Sequence, residues 1–98
     1  MAALLLGIAA CSAPSLPFAR LAGLVTSRQL GEISGLAASH AHDGVLWAIN
    51  DGGNPARLYA ISRRGRLLAR YEVEGASNQD WEDLSSFELG GRRYLLLA

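Results

Sequence analysis

Five carboxylates and one amide stand out in this chain: Glu32, Asn50, Asp51, Asp80, Glu82 and Asp83. They fall in three short groups, with Asp80, Glu82 and Asp83 crowded into four residues. Carboxylates gathered around one opening repel each other unless a cation intervenes, and hard oxygen donors of this kind suit calcium. The same crowding raises carboxyl pKa values and fits such groups for acid/base work. Metal ligation at Glu32, Asp51, Asp80, Glu82 and Asp83, with Asn50 beside them, is therefore the chemistry to look for. Each group also has a plain structural reading. Asn50-Asp51-Gly52-Gly53 is a tight turn, and Asp80-Trp81-Glu82-Asp83 is an acidic strand edge. No catalytic residue is assigned. Ser34 lacks the Gly-x-Ser-x-Gly setting of a nucleophile, and His40 and His42 sit in a polar loop with no third zinc ligand in view.

Strands must position these groups. Short apolar runs separated by turn residues predict strands over residues 33–38, 45–49, 57–61 and 66–73, in an antiparallel meander. Leu58 and Tyr59 face opposite sides, Trp47 and Tyr59 are core candidates, and Ser62-Arg63-Arg64-Gly65 makes a hairpin turn. In a meander the start of the first strand and the end of the second share an edge. That brings Glu32 and Ser34 near Asn50 and Asp51. Shifting the chain by 48 residues lays Leu36 on Leu84 and Leu46-Trp47-Ala48-Ile49 on Tyr94-Leu95-Leu96-Leu97 without a gap. Four-stranded units recurring at about 40–50 residues are the spacing of β-propeller blades. The expected fold is all-β: a propeller of four-stranded antiparallel blades, truncated after about one and a half. Residues 28–75 form blade one and residues 76–98 the first half of blade two, the remaining blades being absent.

The amino-terminal residues carry a different signal. MAALLLGIAA over residues 1–10 is an apolar run of signal-peptide length, too short to span a bilayer. Ile8-Ala9-Ala10-Cys11 resembles the bacterial lipobox, in which the cysteine thiol is diacylated and becomes the new amino terminus. Residues 1–11 are thus expected to be a signal peptide, Cys11 the lipidation site, and residues 12–27 a tether followed by a first strand or lead-in, such as 22–26. Two acyl chains anchor stably where one is marginal. The expected location is the cell envelope, lipid-anchored, at the outer membrane or periplasm if the cell is Gram-negative. Ordinary signal-peptidase cleavage after Ala13 would instead give a secreted protein.

Composition narrows the partners. Nine basic residues, all arginine, balance nine acidic ones, so no basic field exists to attract nucleic acid. One cysteine excludes an internal disulfide.

Glu32-Ile33-Ser34-Gly35-Leu36, Leu46-Trp47-Ala48-Ile49-Asn50-Asp51-Gly52-Gly53 and Asp80-Trp81-Glu82-Asp83-Leu84, in this order, resemble a family of exported bacterial β-propellers of poorly defined function. These are similar in architecture to phytase-like and esterase-like calcium-binding propellers. The resemblance covers residues 32–98 and implies that Glu32, Asp51, Asp80, Glu82 and Asp83 line a metal-binding central face. It implies a further acidic segment after the strand near 94–98, where this chain stops. Two functions follow: an anchored envelope module for binding or scaffolding with a calcium site, or a calcium-dependent, phytase-like phosphoesterase acting by Lewis-acid catalysis.

Overall fold

The computed structural model describes residues 18–98. The signal peptide, the lipobox and Cys11 lie outside the described residues. A short 3-10 turn, Arg28–Leu30, leads into six strands: β1 (Ile33–Ala38), β2 (Val45–Asn50), β3 (Arg57–Ser62), β4 (Leu67–Glu72), β5 (Leu84–Leu89) and β6 (Arg92–Leu97). β1 to β4 form one antiparallel sheet in sequence order, and β5 and β6 form a second, two-stranded sheet. The fold is all-β, and among the described residues neither sheet closes on itself.

Each strand ends where turn chemistry demands it. Gly44, Gly53 and Gly65 take positive φ between strands, and Gly90 and Gly91 together make the tight β5–β6 turn. At β3–β4, the Ser62 hydroxyl accepts from the Arg64 and Arg66 amides, closing the turn that Gly65 allows. Residues 22–26, expected as a first strand or a lead-in, form no strand and serve as a lead-in. It crosses the β3–β4 turn, donating from Leu24 N–H to the Arg64 carbonyl at 3.1 Å. Gly23 and Gly65 lie where the two backbones meet, and a Cβ at either would collide with the opposing chain.

The first sheet has two different faces. On one, Ala48, Tyr59 and Ile61 pack under Leu30 of the 3-10 turn, with Leu46 and Leu67 alongside. Tyr59 and Ile49, the largest fully buried side chains, point to opposite faces. On the other face Gly35 and Ile49 receive Leu84 of β5, which is buried. A Cβ at Gly35 would come within 2.8 Å of both Ile49 Cγ1 and Leu84 Cβ, so glycine here sets how closely the sheets approach. Trp47 lies on this second face, half-buried, with its ring edge-on to Tyr71 at 5.9 Å. Two serine hydroxyls tie the sheets: Ser34 donates to the Trp81 carbonyl and Ser86 to the Ala38 carbonyl, both at 2.6 Å.

The strand pairing departs from the gap-free overlay of the two units. Leu36 pairs with Ala48, and its counterpart Leu84 pairs with Leu97. From Leu36 to Leu84 is 48 positions, but from Ala48 to Leu97 is 49. The gap-free overlay is therefore out by one residue in β6. Six residues link β1 to β2 and two link β5 to β6, because β5 begins three residues later and β6 one residue earlier than the overlay places them.

Candidate metal centre

Three of the expected ligands converge. Asp51, Asp80 and Glu82 each offer a carboxylate oxygen, and these oxygens lie within 4.8 Å of one another. Asp51 sits in the turn just after β2, while Asp80 and Glu82 come from the irregular segment before β5. These stretches are far apart in sequence, and three local features hold them together.

Asn78 is the first. It is buried, and its amide nitrogen donates to the carbonyls of Asn50 and Asp51, each at 2.9 Å. Its carbonyl oxygen accepts from Trp81 N–H at 3.1 Å, and its backbone carbonyl accepts from Gly53 N–H at 3.2 Å. One side chain thus clamps the Asp51 turn to the Asp80–Glu82 loop. Gly52 is the second: a Cβ there would strike the Gln79 carbonyl and come within 2.9 Å of Asp80 Cα. The third is a β-bulge between Ile33 and Gly35, which turns the Ser34 hydroxyl onto the Trp81 carbonyl.

The other expected residues do different work. Glu32 contributes its backbone, accepting from Asp51 N–H at 2.8 Å, and its exposed carboxylate is outside the cluster. Asn50 is buried with both ends of its amide engaged, donating to the Gln29 carbonyl and accepting from Glu32 N–H. It therefore fastens the 3-10 turn to the sheet. Asp83 accepts from Leu84 N–H at 2.8 Å and pairs through its backbone with Ala98, opening the second hairpin. His40 and His42 lie in the β1–β2 loop, at the opposite end of the strands from the cluster.

Close approach of like charges has the expected electrostatic consequence. The Asp51 carboxylate pushes the Glu82 carboxyl above its ordinary value of 4.5, with loss of hydration and then Asp80 adding to the effect. Asp80 and Glu82 are exposed and Asp51 is half-buried, so the cluster opens to solvent. Three carboxylate oxygens this close together could hold a metal ion.

Asn78 was not among the expected functional residues. Its signal was in the sequence: an Asn three residues before Trp81, in a polar stretch, is the pattern of a side chain that accepts from a backbone amide further along and closes a loop. Comparison of this chain with protein-family models, with curated proteins and with solved structures finds no match.

Proposed function

We propose that this chain is part of an envelope-anchored β-propeller that acts as a binding or scaffold module around a calcium site. The observation that carries this reading is the convergence of Asp51, Asp80 and Glu82 within 4.8 Å, from two segments clamped by a buried Asn78. The stacking of β5 against β1 supports the propeller: two sequence-related units meet through their first strands, as adjacent blades do around a channel. Anchoring rests on the lipobox at Cys11, a sequence motif alone.

Binding is favoured over phosphoester hydrolysis by where the nucleophile and base candidates sit. The Ser34 hydroxyl is committed to the Trp81 carbonyl, and both imidazoles are a strand's length from the carboxylates. Calcium, where bound, would supply charge neutralisation and a Lewis acid. Asp51, Asp80 and Glu82 would hold it, and Asn78 would keep them in place.

The test is calorimetric titration of calcium into the full chain, with Asp80→Asn and Glu82→Gln alongside. Saturable binding abolished by either change supports the reading. Absence of heat in the parent chain, or equal binding in the variants, refutes the metal centre. Calcium-dependent release of phosphate from phosphomonoesters would replace the scaffold reading with the hydrolase.

A further inference from the structure

Two aspartates in this chain are followed directly by glycine, Asp43-Gly44 and Asp51-Gly52, and the fold treats them differently. The Asp43 carboxylate lies in an exposed loop and turns away from its neighbour, accepting from Arg63 Nη2 at 3.1 Å. The half-buried Asp51 turns back on its own backbone: Gly52 N–H donates to Asp51 Oδ1 at 2.6 Å. That contact holds the Gly52 nitrogen against the carboxyl carbon, at roughly the 3–3.5 Å of a near-attack pair. The peptide to which this nitrogen belongs is polarised as well. Its oxygen, the Asp51 carbonyl, accepts from the side-chain amides of Asn54 and Asn78 at 2.9 Å each. Two donors on a carbonyl draw electron density from its nitrogen and make the N–H easier to deprotonate.

Residue 52 can carry no side chain to hinder this nitrogen, because a Cβ there would strike the Gln79 carbonyl. Asp83 supplies the contrast. It makes the same contact with the next amide, Leu84 N–H, at 2.8 Å, but the buried Leu84 side chain stands beside that nitrogen and obstructs ring closure. We propose that Asp51-Gly52 is a self-modifying site, at which the backbone closes to a succinimide and reopens as isoaspartate. In the first step the Gly52 nitrogen bonds to Asp51 Cγ. One carboxyl oxygen leaves as water, taking the carboxyl proton and the Gly52 amide proton. A water molecule then adds to one of the two imide carbonyls. Addition at Cγ restores aspartate. Addition at the main-chain carbonyl breaks its bond to the Gly52 nitrogen and leaves isoaspartate. The main-chain carbonyl is the one that the Asn54 and Asn78 amides face, placed as donors to a developing oxyanion are. The product lengthens the backbone by one methylene, and its free carboxylate takes the place of the carbonyl at the Asn78 clamp, away from Asp80 and Glu82. Water is the only other reactant and no cation takes part, so the proposal stands whether or not the metal reading does.

The test incubates the full chain in calcium-free, heavy-oxygen water at neutral pH, once folded and once in concentrated guanidinium chloride. Each sample is then unfolded and digested with an endoproteinase that cuts before aspartate and not before isoaspartate, and the peptides are weighed. In the folded chain, cleavage before residue 51 should be lost about fivefold faster than cleavage before residue 43, with a solvent oxygen in the uncut product. In the unfolded chain the two positions should lose cleavage at similar rates. Faster loss at Asp43 in the folded chain, no loss at Asp51, or the same preference for Asp51 after unfolding would each overturn the proposal.

Discussion

Replacing Asn78 by Ala separates the clamp from the ligands it positions. The side chain makes three hydrogen bonds: two donated to the carbonyls of Asn50 and Asp51, and one accepted from Trp81 N–H. A net value of about 1 kcal/mol for each gives a loss of about 3 kcal/mol. The neighbourhood sharpens this figure, since Asn78 is only 8% exposed and water cannot easily reach the groups left behind. A domain of this size has about 5–15 kcal/mol in total, so the variant should fold but unfold at clearly lower denaturant. Urea titration at pH 7, followed by the fluorescence of Trp47 and Trp81, measures the difference. Gln79→Ala, one residue along at an exposed position, is the control and should change stability by less than about 0.5 kcal/mol. Calcium affinity in Asn78→Ala should fall even though every carboxylate remains. A loss below about 1 kcal/mol, or undiminished calcium binding, would refute the view that this amide assembles the site.

Gly52→Ala should lower stability by about 1–3 kcal/mol and weaken calcium binding, because its Cβ would push the Asp51 turn off Gln79 and Asp80; denaturant titration and calorimetry read the two effects. Gly35→Ala should lose a similar amount of stability by wedging Ile49 from Leu84, and should weaken calcium binding less than Gly52→Ala, because it displaces Leu84 whereas a Cβ at Gly52 strikes the Gln79–Asp80 backbone itself. Ser34→Ala removes one 2.6 Å bond to Trp81 and should cost about 1 kcal/mol in the same denaturant assay. For Glu82 the sign follows from its raised carboxyl: the folded chain holds this proton more tightly than the unfolded one. Its contribution is most favourable below 4.5 and is lost as pH rises through the folded value, so Glu82→Gln should raise the metal-free melting temperature at pH 7 and flatten its decline above 4.5.

The strands were legible because each core face repeats every second residue. Alternation through Leu46, Ala48, Tyr59 and Ile61 marks one face, and β1 has the bounds its apolar run predicts. The lead-in was harder to read. Residues 22–26 have strand-like composition, yet what decides their path is a backbone crossing at Gly23 and Gly65, which no local periodicity records. The one-residue shift in β6 escaped for a similar reason. Register is ambiguous in a run such as Tyr94-Leu95-Leu96-Leu97, where either alignment places apolar side chains on both faces. Among the candidate ligands, residue type picked out five carboxylates, but only geometry separates Asp51, Asp80 and Glu82 from Glu32 and Asp83. Asp83 lies one residue from Glu82 and is turned to Leu84 N–H, because a strand begins there and successive side chains diverge.

The cluster arises at a bend: Asp80 and Glu82 lie in the irregular segment before β5, and both carboxylates reach Asp51 from there. Trp81 is then free to present its backbone carbonyl to Ser34 and its N–H to Asn78, which fixes the peptide between the two carboxylates. Asp51 meets them only because Gly52 lets its turn lie directly on the Gln79–Asp80 backbone. Each of these restraints is a neutral hydrogen bond or a steric allowance, and none is a positive charge. The ion pairs among the described residues are Arg57–Glu72, Arg70–Glu72 and Arg63–Asp43, all away from the cluster. The fold thus gathers three like charges without an arginine among them, although nine arginines are present in the chain. Repulsion therefore shows up as the raised Glu82 carboxyl, and protons and cations compete for the same oxygens. Calcium affinity should accordingly fall with pH as Glu82 takes up its proton, and in Asn78→Ala the pull of the cation must first re-form the geometry that the amide no longer holds.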